Sequence, residues 1–333
     1  MTGSYVGYVR GSDPLHGFLS TIIRDRMGVC EPHPAFRVYR LTGSNVVYAY
    51  EEKFSGSKII CKFYGPRFDR DRAASMAHQE YRGLETLRGY DLIGSPHHVI
   101  RPLGVSPDIN GVLAVEYYPG EQFSDAIARA TRHRDDAHLY RRLTALASFL
   151  ATQHNRTANG ASVDFEPECR YFGSLVGQLK RADRIGQWDI DELCWLRDCW
   201  RDRPRMWQDR QVWLHGDATP ANFLFGPGMD VAAIDLERMK RGDRMFDVGR
   251  VAGELLHAFM SAGHRHRAEP FIAHFLRAYS GHFPDPQRTF ESLSARAPYY
   301  MALNLLRIAR NDYISPEYGG RLVRQAKKLL QSA

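Results

Sequence analysis

The chain has 333 residues, of which 44% are hydrophobic and 12% aromatic, enough for a packed core and for two or three domains. Its 45 Lys and Arg outweigh 38 Asp and Glu for a net charge of +7, spread along the chain without an arginine-rich block, so no nucleic-acid partner is expected. There is no run of eighteen apolar residues and no basic-then-apolar leader, which excludes a membrane span and a secretory signal and predicts a soluble cytoplasmic protein.

Residues 1–34 read as an N-terminal extension with a helix over 15–27, ended by Pro32 and Pro34. Residues 36–41 and 46–52 read as strands, joined by a turn, 42–45, with one glycine, Gly43. The β-leaning run 58–64 contains Lys62, and the helix-like stretch 69–87 carries Glu80 ahead of Leu84 and Leu87. Residues 112–116 read as a strand running into Tyr117-Tyr118-Pro119-Gly120. Over 140–154, Leu143, Leu146, Ala147 and Leu150 recur at helical spacing and predict a core helix, followed by a long segment, 155–210. The five cysteines are odd in number and irregular in spacing, so they form no disulfide framework. Cys194 and Cys199 point to different faces of a predicted helix and read as buried thiols rather than zinc ligands, and 264–267 reads as a solvated turn.

The chemistry concentrates in His215-Gly216-Asp217-Ala218-Thr219-Pro220-Ala221-Asn222 and in Ile234-Asp235-Leu236-Glu237. Moving a γ-phosphoryl group to a hydroxyl needs a carboxylate near the incoming oxygen and hard oxygen ligands for magnesium. Asp217 offers the first; Asn222, five residues on, and Asp235, eighteen residues on, offer the second. Short apolar runs at 212–214, 223–225 and 231–234 flank them, with a turn at 226–230, so Asp217 belongs on a loop between strands.

This series, H-G-D-x-x-x-x-N followed by I-D, resembles the aminoglycoside phosphotransferase and choline kinase superfamily of small-molecule kinases. The resemblance implies an α+β, two-lobed protein-kinase-like fold. A small antiparallel sheet with one helix would occupy 35–117, and a larger, mainly helical part 118–333, behind the extension 1–34. It implies that Asp217 is the catalytic base, that Asn222 and Asp235 hold Mg2+, and that His215 and Asp247 support the loop, Asp247 from the segment Gly242-Asp243-Arg244-Met245-Phe246-Asp247. It further implies that Lys62, paired with Glu80, holds the phosphates of ATP or GTP. Lys58 and Lys53 compete for the lysine role and Glu85 for the glutamate. The turn carrying Gly43, Ser44 and Asn45 would cover the phosphates, although the same residues fit an ordinary hairpin turn. Backbone groups of Glu116 and Tyr118 would hold the adenine edge.

Gly216 stands where protein kinases carry arginine, and Asp243 follows Glu237 by six positions, too few for a long regulatory loop. Both features favour a small hydroxyl acceptor, aminoglycoside-, amino alcohol- or sugar-like, over a protein. A nucleotide-binding module without catalysis would need a corrupted polar position, and none is visible. All five tryptophans fall between Trp188 and Trp213. An aromatic box for a quaternary ammonium competes there with core packing, because Leu193, Leu196 and Trp200 share one helix face. From Tyr300 onward, Asp312 and Glu317 face six basic residues, which fits a neutral or anionic acceptor better than a polycation. Asp164, Glu166, Glu168, Asp189, Asp191 and Glu192 remain available to line a cleft. Asn311 and Asp312, after a predicted helix over 299–310, are candidate substrate contacts, with a helix C-terminal cap the competing role for Asn311.

Overall fold

The computed structural model describes residues 3–41 and 46–332. In chain order its elements begin with β1 (Ser4–Tyr8), α1 (Pro14–Met27), β2 (Phe36–Arg40), β3 (Val46–Glu52), β4 (Lys58–Phe63), α2 (Arg70–Arg88), β5 (Ile93–Gly94), β6 (His97–Val99), β7 (Pro102–Ser106) and β8 (Val112–Glu116). There follow β9 (Glu121–Gln122), α3 (Phe123–His133), α4 (Asp136–Thr157), α5 (Glu166–Arg181), α6 (Gln187–Arg201), β10 (Gln211–Leu214), β11 (Phe223–Phe225), β12 (Val231–Ala233) and β13 (Lys240–Asp243). The chain ends in α7 (Met245–Ser261), α8 (Ala268–Ser280), α9 (Pro286–Ala309) and α10 (Pro316–Gln331). These elements form two compact units: the residues up to Glu121 together with Leu224–Arg238, and Gln122–Phe223 together with the residues from Met239.

In the first unit an antiparallel sheet runs in the order β1-β2-β3-β4-β8-β7. Side chains alternate across each strand, and β4 shows what that does. Ile59, Cys61 and Phe63 are buried in a cluster with Leu15, Leu19, Ile22 and Ile23 of α1, while Ile60 and Lys62 point to the opposite face. The described part of the N-terminal segment is therefore built into this unit: β1 pairs with β2 and α1 buries one stripe on the sheet. Helix α1 begins where Asp13 accepts the Leu15 N–H (2.9 Å) ahead of Pro14, and ends at Gly28 with φ 70°. Helix α2 buries Ala73, Ala77, Glu80, Leu84 and Leu87, a stripe at helical spacing in which Glu80 is the sole charge. Parallel pairing of β12 with β6 brings Leu224–Arg238, and hence Asp235, into this unit.

The second unit is mainly helical. Helix α7 is buried almost all round, and α9 packs on it so closely that a Cβ at Gly249 would lie 2.2 Å from Cβ of Tyr300. Only a residue without a side chain admits that approach. The segment 155–210 resolves into α5 and α6, and α9 reaches back to Pro286, well before Tyr299. Leu193, Leu196 and Trp200 do form the buried face of α6. Trp188 and Trp195, however, are 81% and 63% exposed, so the tryptophans do not gather into one aromatic box. Cys194 and Cys199 are half-buried, not buried as expected, because they flank the α6 face that carries Leu193, Leu196 and Trp200. At 264–267, Arg265 and His266 are exposed as a solvated turn predicts, whereas Arg267 is mostly buried and pairs with Asp136 (2.6 Å). Among the described residues no helix is long and apolar enough to cross a membrane.

Candidate active site

In the first unit, β4 aims Lys62 at three carboxylates. Its Nζ lies 2.8 Å from Glu80, 2.6 Å from Asp235 and 2.8 Å from Glu237, and 5.0 Å from the ring of Tyr64. Tyr64 also donates its hydroxyl to Glu80. Lys62 is 7% exposed and Glu80 3%. Burial alone would pull the ammonium down, but Glu80, Asp235 and Glu237 hold it well above the ordinary lysine value, so it stays charged. Burial pushes Glu80 up, against the pull of Lys62. Of the other candidates, Lys58 at the start of β4 pairs with Glu51 (3.3 Å), and Lys53 and Glu85 are exposed.

Oxygens of Glu80, Asp235 and Glu237 lie within 4.8 Å of one another. Three carboxylates against one ammonium leave a net charge of −2, and an all-oxygen donor set of that charge suits a hard divalent cation. Asp235 sits at φ 63°, uncommon for a residue with a side chain, and this backbone aims its carboxylate at Lys62. Beside the cluster is a cavity of about 120 Å³ walled by Val47, Ile60, Leu113, Val115, Leu224 and Ile234, with Glu116 and Tyr118 also on its lining. The Glu116 carboxylate accepts from His98 (2.5 Å) and from the Arg101 N–H (2.6 Å), and the Glu116 N–H donates to the Arg101 carbonyl (3.0 Å). Burial pushes this carboxyl up, but those hydrogen bonds hold it below its ordinary value. The Tyr118 ring stacks on His98, centroids 5.6 Å apart. Gly43, Ser44 and Asn45 lie outside the described residues.

In the second unit the loop after β10 is held from the first turn of α7. Asp247, fully buried, accepts the N–H groups of His215 (2.7 Å) and Gly216 (3.0 Å), and Gly216 turns the chain at φ 79°. His154 of α4 lies 3.3 Å from the same carboxylate through Nε2 and 2.8 Å from the Tyr279 hydroxyl through Nδ1. With Asp247 as acceptor, the ring proton sits on Nε2 and Nδ1 accepts from Tyr279. Burial pushes Asp247 up, but hydrogen bonds from His154 and the loop hold it below the ordinary carboxylate value. The His215 ring accepts the Asp217 N–H (3.3 Å), and Asn222 donates Nδ2–H to the Asp217 carbonyl (2.9 Å).

The Asp217 carboxylate meets Arg250, which sequence reading missed. Arg250 Nη1 is 2.6 Å from Oδ1 of Asp217 and 2.9 Å from the Gly216 carbonyl, and the residue is 4% exposed. A signal existed, because Arg250 lies one turn after Asp247 on α7 and so projects from the same face. Glu237 was equally legible beside Asp235 in the quoted segment. The α9 side chain within electrostatic reach of Asp217 is Arg307, paired with Glu254 (2.6 Å). Asn311 instead holds Arg184 through its carbonyl (3.2 Å) and Tyr313 through its amide (2.9 Å), and Asp312 is exposed. The acidic residues of α5 and α6 are engaged: Glu166 with Arg201, Glu168 with Lys240, Asp189 and Glu192 with Lys327, and Asp191 with Gln187.

Burial holds the folded His154 below the ordinary histidine value of 6.5, so the unfolded chain binds the extra proton as pH falls through that range. Stability is therefore expected to rise with pH between about 5 and 7. Asp247 acts further down: its contribution is complete above the ordinary value of 3.8 and is lost as pH falls through its lower folded value. Melting temperature against pH should be flatter in His154→Gln than in the wild type, and identical slopes would remove His154 from this account.

Comparison with known proteins bears on this arrangement. A sequence profile of the phosphotransferase enzyme family matches residues 38–290. No curated protein matches the chain. Among solved structures it is similar to the amicoumacin kinase hAmiN in complex with AMP-PNP, Ca2+ and Ami, at 17% identity over 96% of each chain with a TM-score of 0.59. It is similar to Plasmodium vivax ethanolamine kinase at 13% identity over 96% of this chain and 89% of that one, TM-score 0.58. The streptomycin-ATP-APH(2")-IIa ternary complex matches at 13% identity over 97% of each chain, TM-score 0.53. These likenesses place the fold with the two-lobed, protein-kinase-like phosphotransferases.

Proposed function

The chain belongs to the phosphotransferase enzyme family, and from that premise we propose that it is an ATP-dependent kinase of a small hydroxyl compound. The observation that carries this reading is the meeting of Lys62 with Glu80, 18 residues away, and with Asp235, 173 residues away, at 2.8 and 2.6 Å beside an apolar cavity. An ammonium held by a helix glutamate and set against an acidic metal ligand is what phosphate positioning requires. The cavity takes the base, with backbone groups of the Glu116–Tyr118 segment on its edge. Asp235, joined by Glu237, would hold magnesium, the resemblance gives Asn222 the same role, and the cation would supply charge neutralisation at the phosphates. Asp217 orients the acceptor hydroxyl and receives its proton.

Arg250 fixes that carboxylate in place. Its guanidinium, 2.6 Å from Oδ1 of Asp217, makes a charge-assisted hydrogen bond that holds the carboxylate in one direction. In Arg250→Met kcat should fall while nucleotide affinity is kept, with Arg250→Lys intermediate. An unchanged kcat in Arg250→Met would leave Arg250 a purely structural role.

The acceptor is neutral or anionic. Arg250 and Arg307 stand near Asp217, and the carboxylates of α5 and α6 already carry cationic partners or hydrogen bonds, which supports this over a polycationic aminoglycoside. The test is magnesium-dependent ADP release from ATP with sugars, sugar acids, amino alcohols and aminoglycosides as acceptors. Turnover with sugars or sugar acids is expected, and highest kcat/KM for an aminoglycoside would overturn the acceptor class.

A further inference from the structure

Three arginines of the second unit surround a cavity that the phosphotransfer chemistry does not use. Arg244, Arg288 and Arg296 line it together with Asp209, Thr289 and Ser292, and its volume is about 240 Å³. Arg296 is 1% exposed and Arg244 9%. Both are only partly satisfied: Asp209 takes one contact from each, at 2.7 and 3.0 Å, Asp243 takes another from Arg296 at 2.8 Å, and the Nε of each arginine is buried without a hydrogen-bond partner. Arg288 is exposed, and among the described residues its side chain makes no hydrogen bond or ion pair. Three guanidinium groups against the carboxylates of Asp209 and Asp243 leave one positive charge. Arg288 and Thr289 also occupy the first turn of α9, a 24-residue helix whose start carries the positive end of its dipole.

We propose that this cavity is a second, non-catalytic site that binds a phosphate group. The ligand chemistry follows from the donors. Guanidinium N–H groups and the Ser292 hydroxyl present several donors around one small volume, and an oxyanion satisfies them at once where a neutral molecule does not. Arg288 supplies the accessible, uncommitted charge, while Arg296 ties the site into the fold. Arg296 reaches Asp243, which also accepts the Tyr300 hydroxyl (2.8 Å) and caps the start of α7 through the Met245 N–H (2.9 Å). Occupancy thus stabilises the packing of α7 on α9.

The experiment is thermal melting of the full chain, saturated with a magnesium–nucleotide analogue so that Lys62 is occupied. Inorganic phosphate and glycerol phosphate are titrated separately against sodium chloride at matched ionic strength. Phosphate is expected to raise the melting temperature above the chloride control. Its apparent affinity should weaken roughly tenfold or more in Arg288→Ala, as loss of a charge-assisted hydrogen bond implies, and likewise in Ser292→Glu, which sets a carboxylate in the cavity. A response to both titrants identifies phosphomonoesters as ligands, and a response to inorganic phosphate alone identifies the free ion. No phosphate effect beyond chloride, or an effect unchanged in both variants, overturns the site.

Discussion

Asp217→Asn is expected to lower kcat by ~10²- to 10⁴-fold, the range over which a positioned proton acceptor contributes, while nucleotide binding stays within a few-fold of the wild type. The substitution is a clean one. An asparagine oxygen still accepts from Arg250, now 2.6 Å from Oδ1, and the loop is held by Asp247, His215 and Asn222 through backbone groups that the change leaves alone. What disappears is the negative charge and the ability to receive a proton. Single-turnover phosphoryl transfer and titration with a nucleotide analogue separate the two readouts. Near-normal turnover would take Asp217 out of its role, and a parallel loss of nucleotide binding would point instead to a collapsed loop.

Lys62→Met should damage both binding and stability. The ammonium pairs with Glu80, Asp235 and Glu237, with side chains 4%, 26% and 14% exposed. Breaking a buried pair by removing one partner typically costs about 3–5 kcal/mol, because the remaining charge stays buried. Most of that cost falls on Glu80, since water screens the more exposed Asp235. Glu80 would keep its proton to a higher pH than in the unfolded chain, so the variant's stability should fall as pH rises through and above the ordinary carboxylate range. Added magnesium should restore part of the loss, because the three carboxylates then form a cation site without a competing ammonium. A Lys62→Met protein that melts like the wild type and ignores magnesium would refute the electrostatic account of the cluster.

The small unit shows how far local patterning reaches. The strand with Lys62 and the helix with Glu80 are legible because alternation and helical periodicity decide which side chains point inward. Glu80 stands out as one charge in an otherwise apolar stripe of Ala73, Ala77, Leu84 and Leu87. The helix over 15–27 is equally legible from its spacing, but its packing is not: nothing local says that Leu15, Leu19, Ile22 and Ile23 meet Ile59 and Phe63. Trp188 and Trp195 mark the opposite limit, since composition alone does not tell an exposed aromatic from a buried one.

By itself the sequence determined the family and the small-molecule kinase class, because the pattern that carries them consists of polar residue types at short spacings such as Asp217 to Asn222. Tertiary structure alone decided the partners of the charges. Asp235 and Glu237 reach Lys62 across more than 170 residues only because β12 pairs with β6, and Arg250 reaches Asp217 only because α7 packs beneath the loop that follows β10. Ion pairing acts within a few ångströms of space, whatever the distance along the chain, so the packing of strands and helices selects which charges meet.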